Sequence, residues 1–360
     1  MIIKTFQIYL LKLFIKRFLI TSGIFLSLIF ILSIFEEISF FKKSDVDLLF
    51  PYMIALLNTP SALFDVFPFI FLISTQFFFI YLIKKGELEV LKISGLTNFY
   101  IIRLLTLISF IIGILIIIFY YSFSSKLKFL YLDLKNSYSN DNKYLATVTK
   151  NGLWIKDEID NHTFIINANR IDENYLKEVS IFKFNKNFKL DQVTISSKVD
   201  VSSNMWVLSN PTITIENQSK VYKENILIKS NFDQEKISTL FDNLSSLSVS
   251  ELIDQKSDFV ELGYSTIEIE TYLNRLVSFP FYLSIMTLLS CVIMLNIKKN
   301  KSLIFHIILG IFLSVIIYYS SYLFNLLGEN EKIPTILSTW FPLFIILVLT
   351  TIGLIRINEK

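Results

Sequence analysis

The chain holds one cysteine, Cys291, and two histidines, His162 and His306, in 360 residues. A single cysteine excludes a disulfide within the chain. Cys291 lies in an apolar run and reads as a small buried hydrophobe. The complete lack of cysteine in the polar middle of the chain speaks neither for nor against an oxidising compartment there. Two histidines, with no H-E-x-x-H and no paired cysteine, leave a zinc site without ligands. No G-x-x-x-x-G-K-(S/T) occurs, so the chain cannot cradle ATP phosphates as P-loop proteins do. A G-x-S-x-G nucleophile elbow is missing as well. Glycine and proline are scarce, at 9 and 7. The formal net charge is only +3, too small a surplus to suggest nucleic acid.

What is abundant is apolar: 53% of the residues are hydrophobic and 35 are Phe, which points to a membrane protein. The wealth of Ile, Lys, Phe and Asn resembles a genomic bias, so no single Phe or Ile carries functional weight. A bilayer core about 30 Å thick needs roughly 20 helical residues, and six runs meet that need. They are Phe18 to Phe35, stopped by Glu36 and Glu37; Val66 to Ile83, with Asp65 just before it; Leu104 to Ser125; Leu276 to Ile297; Ser302 to Gly328; and about Ile333 to Ile355. The first is too long for a signal peptide and lacks a small-residue cleavage site. Lys and Arg cluster before span one, between spans two and three, and between spans four and five, so both termini are expected in the cytoplasm.

The interval from Lys126 to about Tyr272 is then expected outside. YLATVTKNGLWIKD, HTFIINANRI, EVSIFKFN, FKLDQVTISSKVDV, MWVLSNPTITIEN and NILIKS alternate apolar and polar residues as strands do, which argues for an antiparallel sandwich or open barrel. LSVSEL, Leu247 to Leu252, carries a capping box at Ser248 and Glu251, opening a helix that stops near Gly263. The expected class is an α+β membrane protein: six transmembrane helices with an outside, jelly-roll-like antiparallel β domain between helices three and four. The expected divisions are 1–125, 126–247, 248–272 and 273–360.

One polar island interrupts the apolar half: KKGELEVLKISGLTNFYIIR, Lys84 to Arg103. It reads as a short helix with Leu88, Leu91, Gly95 and Leu96 on one side and Glu87, Glu89 and Lys92 on others, ended at Ser94-Gly95. Pattern alone leaves a charged, topology-setting loop as the alternative. Asp65 is a functional candidate as an ionisable group at a span end, against the plainer reading of a solvated boundary residue. Pro60 and Pro68 beside it suggest an irregular helix. His306 reads as an interfacial side chain.

GELEVLKISGLT (Gly86 to Thr97), NGLWIKD (Asn151 to Asp157), the LSVSEL helix start, Ile333-Pro334 and Pro342 occur in an order and spacing similar to the lipopolysaccharide-export permeases, the LptF/LptG (YjgP/YjgQ) family. The resemblance covers essentially the whole chain, and Asn151 to Asp157 with Pro334 lean toward LptG. It implies a non-enzymatic, cofactor-free permease subunit of an ABC-type exporter in the bacterial inner membrane. The subunit would pair with a homologous LptF-type permease, a dimer of the cytoplasmic ATPase LptB, and LptC. Its coupling helix, at about 84–97, would dock on LptB through Glu87, Leu88, Leu91 and Gly95.

For the cargo phosphates, Lys42 and Lys43 past span one and Arg275 at the mouth of span four are the candidate cations, with a solvated loop as the alternative for the lysines. Where LptG carries a lysine inside span one, this chain has Ser33 or Ile34. Two other classes compete with a transport permease. A membrane-anchored envelope assembly protein without transport activity would need one or two spans. An enzyme on lipid-linked sugars would need clustered carboxylates or histidines at one membrane face, and Glu36 and Glu37 are adjacent on a helix, facing apart.

Overall fold

In the computed structural model the described residues are 5–42, 46–138, 145–149, 152–159, 162–172, 174–186, 188–215, 218–222, 224–234, 237, 244–262, 265–296 and 302–358. Helix α1 spans Thr5–Phe41, α2 Phe50–Lys84, α3 Glu87–Ile93 and α4 Asn98–Leu115. A π-helical turn, Ile116–Tyr121, leads on into α5, Ser122–Tyr138. After the strands come α6 (Val249–Leu262), α7 (Ile267–Leu295), α8 (Leu303–Glu329) and α9 (Thr335–Asn358). Six of these helical stretches are long and apolar enough to cross a membrane.

The chain divides into two compact units, Met1–Tyr131 with Glu270–Lys360, and Leu132–Ile269. In the first, α1 packs along α2, and α2 also meets α8. Buried Leu72 and Ile73 of α2, Ile285 and Met286 of α7, Ile317 of α8, and Leu343 and Ile346 of α9 share one cluster. With no water to satisfy stray polar groups, helices in lipid join through small and hydroxylated side chains. Ser109 and Thr287 are 2.8 Å apart between α4 and α7, and Ser290 Oγ donates to the Leu72 carbonyl at 2.9 Å between α7 and α2.

Several sequence expectations change here. Glu36 and Glu37 do not stop the first span: α1 runs through both to Phe41. Glu37 is buried and accepts a 2.9 Å hydrogen bond from Tyr131 at Oε1. Pro60 and Pro68 leave α2 continuous, as spanning helices can tolerate proline. His306 is buried among its neighbours, with Nδ1 2.9 Å from the Ser302 carbonyl oxygen.

The second unit carries the expected antiparallel β domain as one curled nine-stranded sheet: β1 Leu145–Thr149, β2 Gly152–Ile159, β3 His162–Asp172, β4 Tyr175–Phe184, β5 Leu190–Asp200, β6 Met205–Ser209, β7 Thr212–Ile215, β8 Gln218–Val221 and β9 Ile226–Lys229. The order is β1-β2-β3-β4-β5-β6-β9, with β7 on β5 and β8 on β7. β5 divides its partners, pairing through 193–195 with β7 and through 198–200 with β6. YLATVTKNGLWIKD is therefore two strands, and MWVLSNPTITIEN breaks at Asn210, whose φ is +44°. Strand β8 was not anticipated; its QSKV offers no apolar alternation.

Leu153, Ile155, Ile166, Ala168, Leu176, Val179, Val199 and Trp206 belong to the core of this sheet. Leu176 and Val179 share the inner side despite their odd spacing, because Glu178, at φ +54°, turns the strand locally while the pairing register on either side of it stays the same. At the β5–β6 turn the Ser202 hydroxyl and backbone N–H donate to Asp200. Together they hold its carboxyl below the usual carboxylate range.

Candidate functional site

Helix α3 is set off by glycine at each end. Gly86 precedes it at φ +69° and Gly95 follows at φ +86°, a left-handed conformation that costs a residue with a Cβ about 1–2 kcal/mol. The Gly95 N–H donates to Lys92 O and the Leu96 N–H to Leu91 O, at 3.0 and 3.1 Å. That pair of bonds closes the helix end tightly. The chain then turns at once into α4, whose Tyr100 N–H is capped by the Thr97 hydroxyl.

The faces of α3 are unequal. Leu88 is 8% exposed, whereas Val90 is 61% and Ile93 87% exposed. Leu91 is half-buried, and Glu89 and Lys92 face out. Of the side expected to dock, Leu88 is turned into the chain's own fold, Leu91 only partly and Gly95 not at all, and the most exposed apolar pair is Val90 and Ile93. Their signal was in the sequence, at i and i+3 with Glu89 and Lys92 between and beside them, but the leucines masked it. Glu87 accepts a hydrogen bond from the Tyr9 hydroxyl of α1. Nearby, Gln7 hydrogen-bonds Tyr100, whose ring also packs 5.7 Å from Phe6. The N-terminal turns of α1 therefore brace both the start of α3 and the start of α4.

Near the middle of α2, Asp65 forms an ion pair with Arg275 of α7. The Tyr272 ring lies 5.9 Å from the guanidinium carbon, and the Tyr121 hydroxyl is 3.4 Å from that of Tyr272. Asp65, read as a solvated boundary residue, and Arg275, read as a phosphate ligand, are partners of each other. A lone acid and a lone base at the ends of two spans was the available hint. Lys42 is exposed in the turn that follows α1, and Lys43 lies outside the described residues. Ser33 is buried on α1. Among the described residues, no three or more His, Cys, Asp or Glu side chains are grouped to hold a metal.

In the β unit, the last residue of NGLWIKD has a plain structural task. Asp157 is fully buried and accepts from Ser230 Oγ at 2.8 Å, Asn231 N at 2.9 Å and Asn231 Nδ2 at 2.8 Å. It pins the chain leaving β9 to β2. Trp206 adds to this by donating its indole N–H to Phe232 O at 2.7 Å.

The sequence pattern described as lipopolysaccharide export system permease LptF/LptG matches residues 8–356, from the first turns of α1 to near the end of α9. The chain belongs to the LptF/LptG family. Among curated proteins no sequence matches it. An LptF/LptG chain is a permease component of lipopolysaccharide export and a multi-pass membrane protein, not an enzyme in itself. That membership favours the transport class over the assembly-protein and lipid-linked-sugar alternatives.

Proposed function

We propose that this LptF/LptG chain is one half of a lipopolysaccharide extractor of the bacterial inner membrane, driven by a separate cytoplasmic ATPase of the LptB kind that grips α3. The observation that carries this is the form of α3: seven residues set off by left-handed glycines, anchored inward by Leu88 and offering Val90 and Ile93 outward. Nothing in a simple topology-setting loop calls for an exposed isoleucine fixed on a capped helix. A rigid knob of this kind passes a rigid-body push to the spans on either side. In this reading Glu87, held in place by Tyr9, meets a basic residue of the ATPase at the edge of the contact. Leu88, Leu91 and Gly95 fix the helix rather than fill the partner's groove.

The lysine- and arginine-rich flanks support cytoplasmic termini and a periplasmic β unit. The functional divisions proposed are spans one to three (1–125), the β domain (126–247), connecting helices (248–272) and spans four to six (273–360). Asn151 to Asp157 and Pro334 support an LptG-type role beside an LptF-type permease, with LptC as a further partner. Lys42 and Lys43 are the proposed phosphate contacts. Arg275 joins them only when Asp65 releases it.

Lipopolysaccharide enters sideways from the outer leaflet, ATP-driven closure of the ATPase dimer narrows the cavity between the two permeases, and the lipid passes to the β domains. Affinity purification of the tagged chain from its native membrane tests this. A homologous permease and an ATPase should co-elute, and adding ATP should release lipopolysaccharide. A chain that purifies with no ATPase contradicts the proposal.

A further inference from the structure

Among the described residues, Gln76 of α2 is the one fully buried Asn or Gln side chain. Its Nε2 donates to the backbone carbonyl of His306 in α8 at 2.9 Å, while Oε1 has no hydrogen-bond partner. Gly310, one turn further along α8, makes room for this contact. A Cβ there would stand 2.1 Å from the Gln76 nitrogen and 2.9 Å from its amide carbon. The amide is therefore seated on a glycine and bonded to backbone, the two features with which helices approach closely and hold register inside a bilayer.

An all-apolar seam allows two helices to slide or roll against each other. A side-chain-to-backbone bond lodged against a glycine permits neither without breaking, and no water waits to replace it. The position of the bond along α2 matters. Gln76 lies about 12 Å, at 1.5 Å per residue, from the end of α2 at Lys84, and α3 begins three residues later. A displacement imposed on α3 enters α2 within about two turns of the clamp.

We infer that Gln76 is a positioning residue that locks α8 to α2, so that movement of α3 is passed to span five as well as span two. This rests on the reading of α3 as the point where the ATPase acts. Gln76 touches no cargo; it acts through the placement of α8.

The test uses the purified permease–ATPase complex in lipid and reads lipopolysaccharide released per ATP hydrolysed. Gln76→Met keeps length and bulk but removes the amide. It should hydrolyse ATP nearly as well as the parent while releasing about fivefold less lipid per ATP, the weight of one ordinary hydrogen bond. Gly310→Ala should fail in the same way, and Gln76→Ala/Gly310→Ala should be better assembled than Gly310→Ala alone, because the added methyl then has space.

Spin labels at Phe77→Cys and Ile308→Cys, both partly exposed, in a Cys291→Ala background give a second measurement. Their separation should stay fixed on ATP trapping in the parent and shift in Gln76→Met. Unchanged lipid per ATP in Gln76→Met overturns the inference, and so does a loss of ATP hydrolysis and lipid release in equal proportion. If the parent complex itself releases no lipid on ATP, the transport reading falls and this inference with it.

Discussion

Neutralising Asp65 separates two accounts of Arg275. If the ion pair between α2 and α7 matters to the bundle, Asp65→Asn leaves a guanidinium without its counter-charge. Two unit charges about 4 Å apart at an effective dielectric near 20 attract by about 4 kcal/mol. The two side chains are 50% and 40% exposed, however, and fully exposed pairs are worth only about 0.2–1 kcal/mol. A coupling of about 1–2 kcal/mol between these limits is expected. The assay is a double-mutant cycle of Asp65→Asn, Arg275→Gln and the pair, read as thermal unfolding of the full chain in detergent micelles. The exchange Asp65→Arg/Arg275→Asp should recover part of the loss. A coupling indistinguishable from zero would refute the reasoning and return Arg275 to the pool of free cations that cargo phosphate can use.

Asp157→Ala strands Ser230 and Asn231 donors that now meet a buried carboxylate, and should destabilise the β unit by about 3 kcal/mol, seen as earlier proteolysis within residues 132–269 of the intact chain. Gly95→Ala should strain the end of α3 by about 1 kcal/mol and lower ATPase retention without affecting membrane insertion. Glu87→Lys should weaken the ATPase more than Glu89→Lys does, since two residues along a helix are about 200° apart and only Glu87 is positioned by Tyr9; equal retention in the two complexes removes Glu87 from the contact. In a Cys291→Ala background, a cysteine at Lys92 should resist an impermeant thiol reagent applied to spheroplasts and one at Lys186 should react; the reverse pattern inverts the proposed topology.

The spans were legible because a run of uncharged residues is a one-dimensional signal that needs no tertiary knowledge. Their ends were not. Glu37 was read as a stop, yet the helix continues because Tyr131, remote in sequence, supplies its hydrogen bond. Asp65 and Arg275 are 210 positions apart, and only packing of α2 on α7 reveals that each answers the other. Gln76 drew no attention at all: a single amide in an apolar run looks incidental until Gly310 is seen beneath it. In the β unit alternation located most strands, but the left-handed residue Glu178 and the polar β8 obey no period of two. On α3 the helix and its glycine stop could be read from SGLT. Which face looks outward could not, since Leu88, Leu91, Val90 and Ile93 are all apolar and only the neighbouring helices decide between them.

The central claim is that α3 is gripped from outside the chain through Val90 and Ile93. It is tested most directly by Val90→Asp/Ile93→Asp in the purified complex, scored by ATPase retained per permease. Burial of one such side chain is worth about 1.5–3 kcal/mol, so losing both should weaken the ATPase contact at least a hundredfold and leave an inserted, folded permease that purifies without it. Full retention of the ATPase by this variant, with undiminished release of lipid on ATP, would contradict the account.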